Sequence, residues 1–247
     1  MAVIRLLSFN IHKGFAAGGK KFTLPQVRHA LQSVDVDVVL LQEVQGEHRQ
    51  KAADHRDWPS EGQAAHLAAD LWPHHAYGAN RAHAHGHHGN ALLSRGPLLR
   101  WTNHDVSNHA LERRGLLHGV IDVEGRELHV ICCHLDLTDH GRGRQLARLA
   151  TLIASDIPPD APLVVAGDFN DWVGHAGEAL GDLGLRDAYR TVHGRLARSF
   201  PAWLPTLPLD RIYLRGLVPR RTMVLHSPPW RGLSDHLPLW CAAEFSR

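Results

Sequence analysis

The sequence predicts a single α/β domain in which helices cover β-sheets. Short and nearly continuous apolar runs, typical of strands that are buried on both faces, alternate with segments whose apolar residues recur at helical spacing. No repeat, low-complexity linker or compositional boundary divides the 247 residues, so we assign residues 1–247 to one domain.

The N-terminal part of the chain predicts two strands with a helix between them. Residues 4–9 form a short apolar run that ends at the polar Asn10 and a glycine-rich loop, as a buried strand ending at a site would. Thr23 and Gln26 form a capping-box pattern, and apolar residues then recur at helical spacing. Residues 37–44 are nearly all apolar, which predicts a strand covered on both faces.

The middle of the chain predicts a helix, a loop and three strands. Residues 61–72 have a helical rhythm, and residues 90–94 form a short strand candidate. Between them we expect a loop, because histidines are mixed there with glycine and alanine. Residues 116–123 and 127–134 are separated by Glu-Gly-Arg, which is hairpin spacing for two antiparallel strands.

The later part of the chain predicts one more helix and three strands. Residues 144–157 carry leucines on one helical face and end at two prolines, which stop a helix. Residues 163–166 form a buried strand that leads into Gly-Asp-Phe-Asn-Asp. Beyond it, repeated prolines break the chain into pieces that suit surface loops, apart from apolar segments that begin at Asp210 and Leu237.

Composition excludes several classes of protein. Lys plus Arg number 27 against 25 Asp plus Glu, a formal charge of +2, so bulk electrostatics does not drive the chain onto nucleic acid or an anionic membrane. No apolar stretch approaches about 18 residues, and the N-terminus lacks a secretory pattern. Three cysteines do not suit a disulfide framework, so we expect buried thiols and a reducing cytoplasm.

Histidine is unusually abundant, with 21 residues, and is densest from His83 to His88. By composition this stretch could bind a transition metal such as zinc. Its histidines follow no helical or Cys-x-x-Cys spacing, so we interpret it as a solvated loop and keep zinc binding as the alternative.

Nine polar residues follow or interrupt the predicted strands, where a buried charge without a partner would be costly. Such placements are tolerated mainly where an ion, a metal or a substrate compensates for the burial. The nine residues are Asn10, Glu43, Asn90, His134, Asp168, Asn170, Asp210, Asp235 and His236.

These residue types suit metal-assisted hydrolysis of a phosphoester. Glu43 and Asp235 are hard oxygen ligands of the kind that Mg²⁺ prefers. Asp168 and Asn170 are two positions apart, so on a continuing strand they point to the same side and could activate and hold a water. Histidines on other predicted strands, His134 and His236, could donate hydrogen bonds to the transition state.

The same positions fall in seven short motifs spread from Ser8 to Pro238. In order they are SFNIH, LQEV, GNALLSR, HLDL, GDFND, LDRIY and SDHLP. This set resembles the metal-dependent endonuclease/exonuclease/phosphatase superfamily, which includes AP endonucleases, pancreatic-type deoxyribonuclease, inositol polyphosphate 5-phosphatases and neutral sphingomyelinases. The resemblance implies a four-layer α-β-β-α sandwich, with two mixed sheets face to face and helices outside, and a phosphoesterase that depends on Mg²⁺ or Mn²⁺.

The resemblance also implies a metal pocket and a water-activating residue. Glu43 is then the principal metal ligand, with Asn10 and Asp235 in the same pocket. Asp168 is the residue that activates the attacking water, and Asn170 is its companion on the phosphate side.

The resemblance also implies which residues bind the phosphate. His236 corresponds to the transition-state histidine, Asp210 to the carboxylate that orients it, and His134 to a phosphate-contacting histidine. Supporting positions that we expect to contact the substrate are Asn90, Asp136 and Arg114.

The substrate is left open by the motifs. The opening SFNIHKGF with HLDL looks most like a bacterial branch related to sphingomyelinase-like and GPI-anchor lipid remodelling proteins, which favours a small phosphodiester or a phospholipid head group. Trp203 or Trp230 could then reach lipid from the late loops, unless they pack in the core. Nucleic acid remains the other candidate, although no tyrosine lies in an AP-endonuclease-like motif and the pI of 8.6 is modest for a duplex binder.

We therefore expect a cytoplasmic monomer, at most peripheral to a membrane, that hydrolyses a phosphodiester by attack of a water that Asp168 activates. One alternative is a DNA or RNA endo- or exonuclease of the same superfamily. The other is a non-catalytic module that binds a phosphorylated ligand.

Overall fold

The computed structural model describes residues 3–109 and 112–246, apart from the side chain of His83. Within these ranges twelve strands form two mixed sheets of six strands each. They are β1 Val3–Asn10, β2 Val38–His48, β3 His74–His83, β4 Gly86–Ser94, β5 Leu98–Asp105, β6 Gly115–Val123, β7 Arg126–His134, β8 Leu163–Asp168, β9 Arg186–Asp187, β10 Asp210–Arg215, β11 Leu217–Val224 and β12 Leu239–Phe245.

The two sheets have related but different strand orders. The first is β11-β12-β1-β2-β4-β3 and the second is β5-β6-β7-β8-β10-β9. In each sheet the described strands include one parallel pair, β1 with β2 and β7 with β8. The sheets lie face to face, with β3 opposite β5 and β6, and β1 opposite β8 and β10.

Helices cover the outer faces of both sheets. The described helices are α1 Leu24–Gln32, α2 Arg49–Asp54, α3 Gln63–Ala68, α4 Asp139–Asp156, α5 His175–Gly181 and α6 Ala188–His193. Two short 3₁₀ turns, His12–Gly14 and Trp230–Gly232, lie in the loops.

Three apolar cores separate these layers. One core lies between the sheets and includes Leu6, Leu40, Leu117, Val130 and Val164. The second packs the first sheet under α1 and α3, and the third packs the second sheet under α4 and α5. Because alternate residues of β1 enter different cores, as Leu6 and Leu7 do, the strand is apolar along most of its length. The four-layer α-β-β-α sandwich is therefore confirmed.

The histidine-rich segment is not a solvated loop, and that prediction is wrong. It is an antiparallel hairpin in which β3 pairs with β4 from His74 opposite Ser94 to His83 opposite Gly86. A side chain at Gly89 would collide with the carbonyl oxygen of Gly78 on the neighbouring strand. Its glycines therefore mark a close approach of strands rather than a turn.

Three smaller expectations also need correction. The hydroxyl of Thr23 donates to the carbonyl oxygens of Gly14 and Leu233, so it ties α1 to two loops instead of forming a capping box. Helix α4 begins at Asp139, one turn before its leucine-bearing face, where the Thr138 hydroxyl caps it. The proline-rich late region contains β11, in which Pro219 is tolerated at a register shift on an edge strand.

The topology brings polar strand ends together at one end of the sandwich. Asn10 ends β1, His134 ends β7 and Asp168 ends β8, while Asp210 begins β10 directly opposite Asp168. Because β1 faces β8 and β10, residues from both sheets meet there. Across residues 3–109 and 112–246, every helix is too short or too polar to cross a membrane.

Candidate active site

A cavity of about 640 Å³ opens at this end of the sandwich. Of the polar residues singled out in the sequence, those that line it are Glu43, Arg114, His134, Asp168, Asn170, Asp235 and His236. Asn10 and Asp210 lie beneath this lining and bond to Asp168 and His236, respectively. Side chains from distant parts of the chain thus converge on one cavity.

A buried chain of two carboxylates and an imidazole forms the floor of the cavity. Nδ1 of His236 lies 2.9 Å from Oδ2 of Asp210, and its Nε2 lies 3.6 Å from Oδ2 of Asp168. The Ser199 hydroxyl donates a short hydrogen bond to the same oxygen of Asp210. Burial alone would lower the pKa of His236, but Asp210 and Asp168 raise it to about 10. The imidazole is therefore a cation at neutral pH.

Asp168 is surrounded by donors. The Asn10 side-chain amide donates to its Oδ2 at 3.1 Å, and the backbone N–H of Asn170 donates to its Oδ1 at 2.9 Å. Burial raises the pKa of Asp168 to about 6, against the opposing pull of His236 and these donors. The carboxylate is ionised at neutral pH and more basic than an ordinary aspartate.

Asn170 reaches the cavity by a different route from the one expected. The strand ends at Asp168, and Asn170 adopts a left-handed backbone with φ 50° while its amide donates to the carbonyl of Leu135 at 2.9 Å. Both side chains nevertheless line the same cavity.

Glu43 lies on the opposite wall, contributed by the first sheet. Its Oε1 is 3.5 Å from the Asn10 amide and its Oε2 is 3.3 Å from Nζ of Lys13. Burial alone would raise the pKa of Glu43, but the basic groups His134, Lys13 and His12 outweigh it and hold this pKa at about 2. The Oε2 atom is buried, with the Lys13 ammonium beside it.

Strained backbone carries several of these side chains. His12, Lys13 and Glu43 have φ values of 45°, 59° and 55°, in the left-handed region that non-glycine residues seldom adopt. Asn10 accepts from the His12 backbone N–H at 3.0 Å, and the buried Gln63 donates to the Lys13 carbonyl at 2.9 Å. Such strain persists only where surrounding bonds impose it, and it concentrates at functional sites.

Two clusters among the described residues bring three potential ligand atoms within 4.8 Å of one another. One is Asp168 with Asp210 and His236, and the other is His109 with Glu112 and Asp136. In the first of these clusters, Nδ1 of His236 hydrogen-bonds to Asp210 and its Nε2 lies 3.6 Å from Asp168, so both ring nitrogens face carboxylates. Neither cluster includes a described side chain of the histidine hairpin, and the side chain of His83 lies outside the described residues.

Asp235 faces the cavity beside the first sheet. Its Oδ1 is 3.7 Å from Nδ1 of His12 and 3.2 Å from the Ser234 hydroxyl. Asp235 and Glu43 therefore present carboxylates to one cavity, with Asn10 between Glu43 and Asp168.

Two of the expected substrate contacts lie outside the cavity lining. Asn90 donates to the carbonyls of Gly115 and Cys132 and thereby links the two sheets. Asp136 accepts from the backbone and hydroxyl of Thr138 at the start of α4. The third, Arg114, does line the cavity and is ion-paired with Glu112 at 2.8 Å.

Phe200 and Ser199 are site residues that the sequence did not reveal. The Phe200 ring packs against the His236 imidazole, with centroids 4.8 Å apart, and Ser199 supports Asp210 from the same segment. They lie in the proline-rich region, where apolar spacing follows no period, so no sequence signal marks them.

The sequence profile of the Endonuclease/Exonuclease/phosphatase family matches residues 7–236. The uncharacterized protein YbhP of Escherichia coli strain K12 is 42% identical over 238 residues, which are 95% of this chain and 94% of YbhP.

Solved structures share the fold at lower identity. An endonuclease/exonuclease/phosphatase from Beutenbergia cavernae DSM 12333 superposes with a TM-score of 0.79 at 20% identity, covering 100% of this chain and 72% of the other. The human Nocturnin catalytic domain with bound sulfate anion has a TM-score of 0.74 at 23% identity, covering 99% and 94%. At these identities the likeness concerns the fold alone.

Proposed function

Because the chain belongs to the endonuclease/exonuclease/phosphatase family, we propose that it hydrolyses a phosphodiester with the help of Mg²⁺ or Mn²⁺. The observation that carries this proposal is the convergence of Glu43, Asp168 and His236 on one cavity, although they come from distant parts of the chain. In the reaction water adds across one P–O ester bond, which yields a phosphomonoester and an alcohol.

Glu43 and Asp235 would hold the cation, with Asn10 fixing the position of Glu43. The donor set fits a hard divalent ion, because Glu43 stays ionised and both Glu43 and Asp235 present carboxylate oxygens to the same cavity. When bound, the ion would polarise a phosphoryl oxygen and offset the charge that develops on the leaving oxygen.

Asp168 is the general base in this proposal. Its pKa of about 6 leaves it ionised at neutral pH, yet basic enough to accept a proton from an attacking water. The bonds from Asn10 and from the Asn170 backbone hold the carboxylate in one orientation, so little reorganisation is needed when the proton moves.

His236 supplies the charge that the phosphorane-like transition state requires. Asp210 fixes the imidazole through Nδ1, so Nε2 carries a proton on the side of Asp168 and of the cavity. Nε2 of His134 lies 3.5 Å from Oδ2 of Asp168, beside the proposed base, and burial lowers the pKa of His134 well below its ordinary value.

The cellular location that we propose is the cytoplasm. Cys132, Cys133 and Cys241 are buried free thiols, which is the state expected in a reducing compartment.

Hydrolysis of bis-p-nitrophenyl phosphate tests the proposed function. We expect turnover that EDTA abolishes and that added Mg²⁺ or Mn²⁺ restores. Asp168→Asn should lower kcat by at least about a thousandfold, since it removes the base but keeps the size and shape of the side chain. Asp160→Asn, at an exposed carboxylate in a loop, is the matched control and should leave kcat unchanged.

Binding without turnover would support the non-catalytic alternative instead. Isothermal titration with inorganic phosphate detects that outcome, because a binding module would take up phosphate in wild type and in Asp168→Asn alike while bis-p-nitrophenyl phosphate stays intact. A nuclease would be recognised by preferential cleavage of single-stranded DNA or RNA over phospholipid and inositol phosphates in the same metal-supplemented panel.

A further inference from the structure

The two lateral walls of the candidate active-site cavity differ in chemistry. Arg81 on β3 and Arg113 and Arg114 before β6 line one wall. Leu137 after β7, Trp172 after β8 and Leu207 before β10 line the other. The sheet order explains the separation, because β3 faces β5 and β6 at one edge, whereas β8 and β10 lie toward the opposite edge.

The apolar wall continues outward as a set of exposed side chains. The lining residues Leu137, Trp172 and Leu207 are 60%, 49% and 37% exposed. Val173, next to Trp172, is 60% exposed, and Trp203 and Leu204, four and three residues before Leu207, are 69% and 54% exposed. We name these six residues the apolar rim. Solvent-exposed apolar side chains that gather at the mouth of a site mark an interaction surface.

The most exposed part of the apolar rim is the tip of a small hydrogen-bonded turn. Phe200 and Leu207 form a bridge with backbone hydrogen bonds in both directions, of 3.1 Å and 2.8 Å, and Trp203 and Leu204 lie at the tip between them. The base of the turn is fixed to the catalytic groups, because the Phe200 ring packs against His236. The tip therefore belongs to a segment whose base contacts the His236 imidazole.

One ion pair lies beside the apolar rim. The carboxylate of Asp139, two residues after Leu137, is 2.7 Å from the guanidinium of Arg142, and that guanidinium lies 5.3 Å from the Trp172 ring centre. This pair adds no net charge beside Leu137 and Trp172, and the arginines that line the opposite wall are accompanied there by Glu112.

We propose that the apolar rim docks on a phospholipid surface and that the substrate is the phosphodiester of a lipid in that surface. This inference rests on the proposed function. An occupant of the cavity must offer a phosphoester to Asp168 and His236 and apolar groups to the wall beside them. A phospholipid has both, joined within one molecule.

The composition of the apolar rim favours lipid over nucleic acid. Four of its six members are aliphatic and cannot stack on a base: Leu137, Val173, Leu204 and Leu207. Tryptophan is suited to the boundary between head groups and acyl chains, which is where Trp203 would lie when a lipid phosphate enters the cavity. Arg81 then faces the anionic head groups around the substrate.

Co-sedimentation with vesicles in EDTA tests docking without turnover. The vesicles contain equal parts of phosphatidylglycerol and phosphatidylcholine. The tip variant is Trp203→Ser with Leu204→Ser, and the matched control is Trp101→Ser with Leu99→Ser, two residues on β5 of similar exposure, 49% and 50%. We expect wild type and control to sediment equally and the tip variant to partition at least about tenfold less.

A second measurement addresses the substrate itself. With Mg²⁺ restored, wild type should release a water-soluble head-group product from the vesicles, and the tip variant should lose this release in proportion to its lost binding. Circular dichroism and thermal unfolding verify that the tip variant folds, which is expected because both side chains are exposed.

Three results would overturn the inference: wild type that stays in the supernatant, equal losses in tip variant and control, or a tip variant that loses binding to a single-stranded DNA oligonucleotide while keeping vesicle binding. Failure of the proposed function looks different. It would appear as wild type that binds vesicles but never hydrolyses bis-p-nitrophenyl phosphate in any metal.

Discussion

The ammonium group of Lys13 lies 3.3 Å from Oε2 of Glu43, on the same carboxylate that we propose as the principal metal ligand. The lysine side chain is 40% exposed toward the cavity, and its backbone is held in a left-handed conformation by Gln63. The strained backbone at Lys13 thus positions one positive charge where we propose that a phosphate binds.

Removing this charge should slow the reaction without unfolding the protein. We expect Lys13→Ala to lower kcat/KM for bis-p-nitrophenyl phosphate by about 10- to 100-fold, because a preorganised cation beside the phosphate is lost. Lys20→Ala, at an exposed lysine in the same loop, should change it less than about twofold. Equal rates in Lys13→Ala and wild type would show that Lys13 is merely a surface residue.

Loss of the principal carboxylate should weaken metal binding. Glu43→Gln keeps the shape of the side chain but removes its charge, so we expect the Kd for Mn²⁺, measured by isothermal titration, to rise by at least about tenfold. Lys13→Ala should not raise this Kd, since it removes a competing cation from the same oxygen. Unchanged affinity in Glu43→Gln would place the ion elsewhere.

The pair formed by Asp210 and His236 should matter for rate more than for folding. Asp210→Asn retains a side chain that can bond to Nδ1 but no longer stabilises the imidazolium, so we expect kcat to fall by about 10- to 100-fold. Ser199→Ala, which leaves the carboxylate in place, should cost less than about tenfold. The expectation fails if both variants have the same kcat as wild type.

Acid should destabilise the fold through a histidine pair far from the proposed metal pocket. Nε2 of His118 is 3.0 Å from Nδ1 of His129 on the adjacent strand. Burial, and next the neighbouring His129, lower the pKa of His118 from 6.5 to about 4. Below pH 6.5 the unfolded chain therefore binds a proton at His118, whereas the folded protein binds it only near pH 4. The contribution of His118 to the free energy of unfolding is thus fully present above pH 6.5 and is lost as the pH falls toward 4.

Urea unfolding at pH 7.5 and pH 5.0 measures the effect. In wild type we expect His118 to account for a loss of about 1–2 kcal/mol between the two pH values, after allowing for the part of the side chain that water screens. His118→Asn should reduce the pH dependence by that amount, whereas His140→Asn, at an exposed histidine, should not. An identical pH dependence in all three proteins would contradict the assignment.

Much of the fold could be predicted because strands that are buried on both faces appear in the sequence as short runs of apolar residues. The runs at β1, β2 and β8 are apolar on both faces, and the polar residue that ends or interrupts each of them, Asn10, Glu43 or Asp168, indicated the site. Glu43 was conspicuous because a lone charge in such a run needs a partner, which the structure provides in Lys13 and Asn10.

The remainder depends on contacts between residues far apart in the sequence. Gly78 and Gly89 look like turn residues by composition, but a Cβ at Gly89 would meet the Gly78 carbonyl on the paired strand, and a Cβ at Gly78 would meet the Asn103 side chain of the facing sheet. Asn90 shares a motif with site residues, yet its amide links the two sheets through Gly115 and Cys132. Spacing along the chain could not separate these roles, because each is set by a partner on another strand.

The proposed reaction centre is divided between the two sheets: Glu43 is carried by β2 in one sheet, and Asp168 by β8 in the other. What joins the halves beneath it is mainly side-chain packing between Leu40, Val164 and their neighbours. A slight slippage there would separate the two carboxylates long before the protein melts. The catalytic rate should thus report on the alignment of the two sheets. A substitution that creates a cavity in the core between the sheets should lower the rate by more than the loss of thermal stability would indicate.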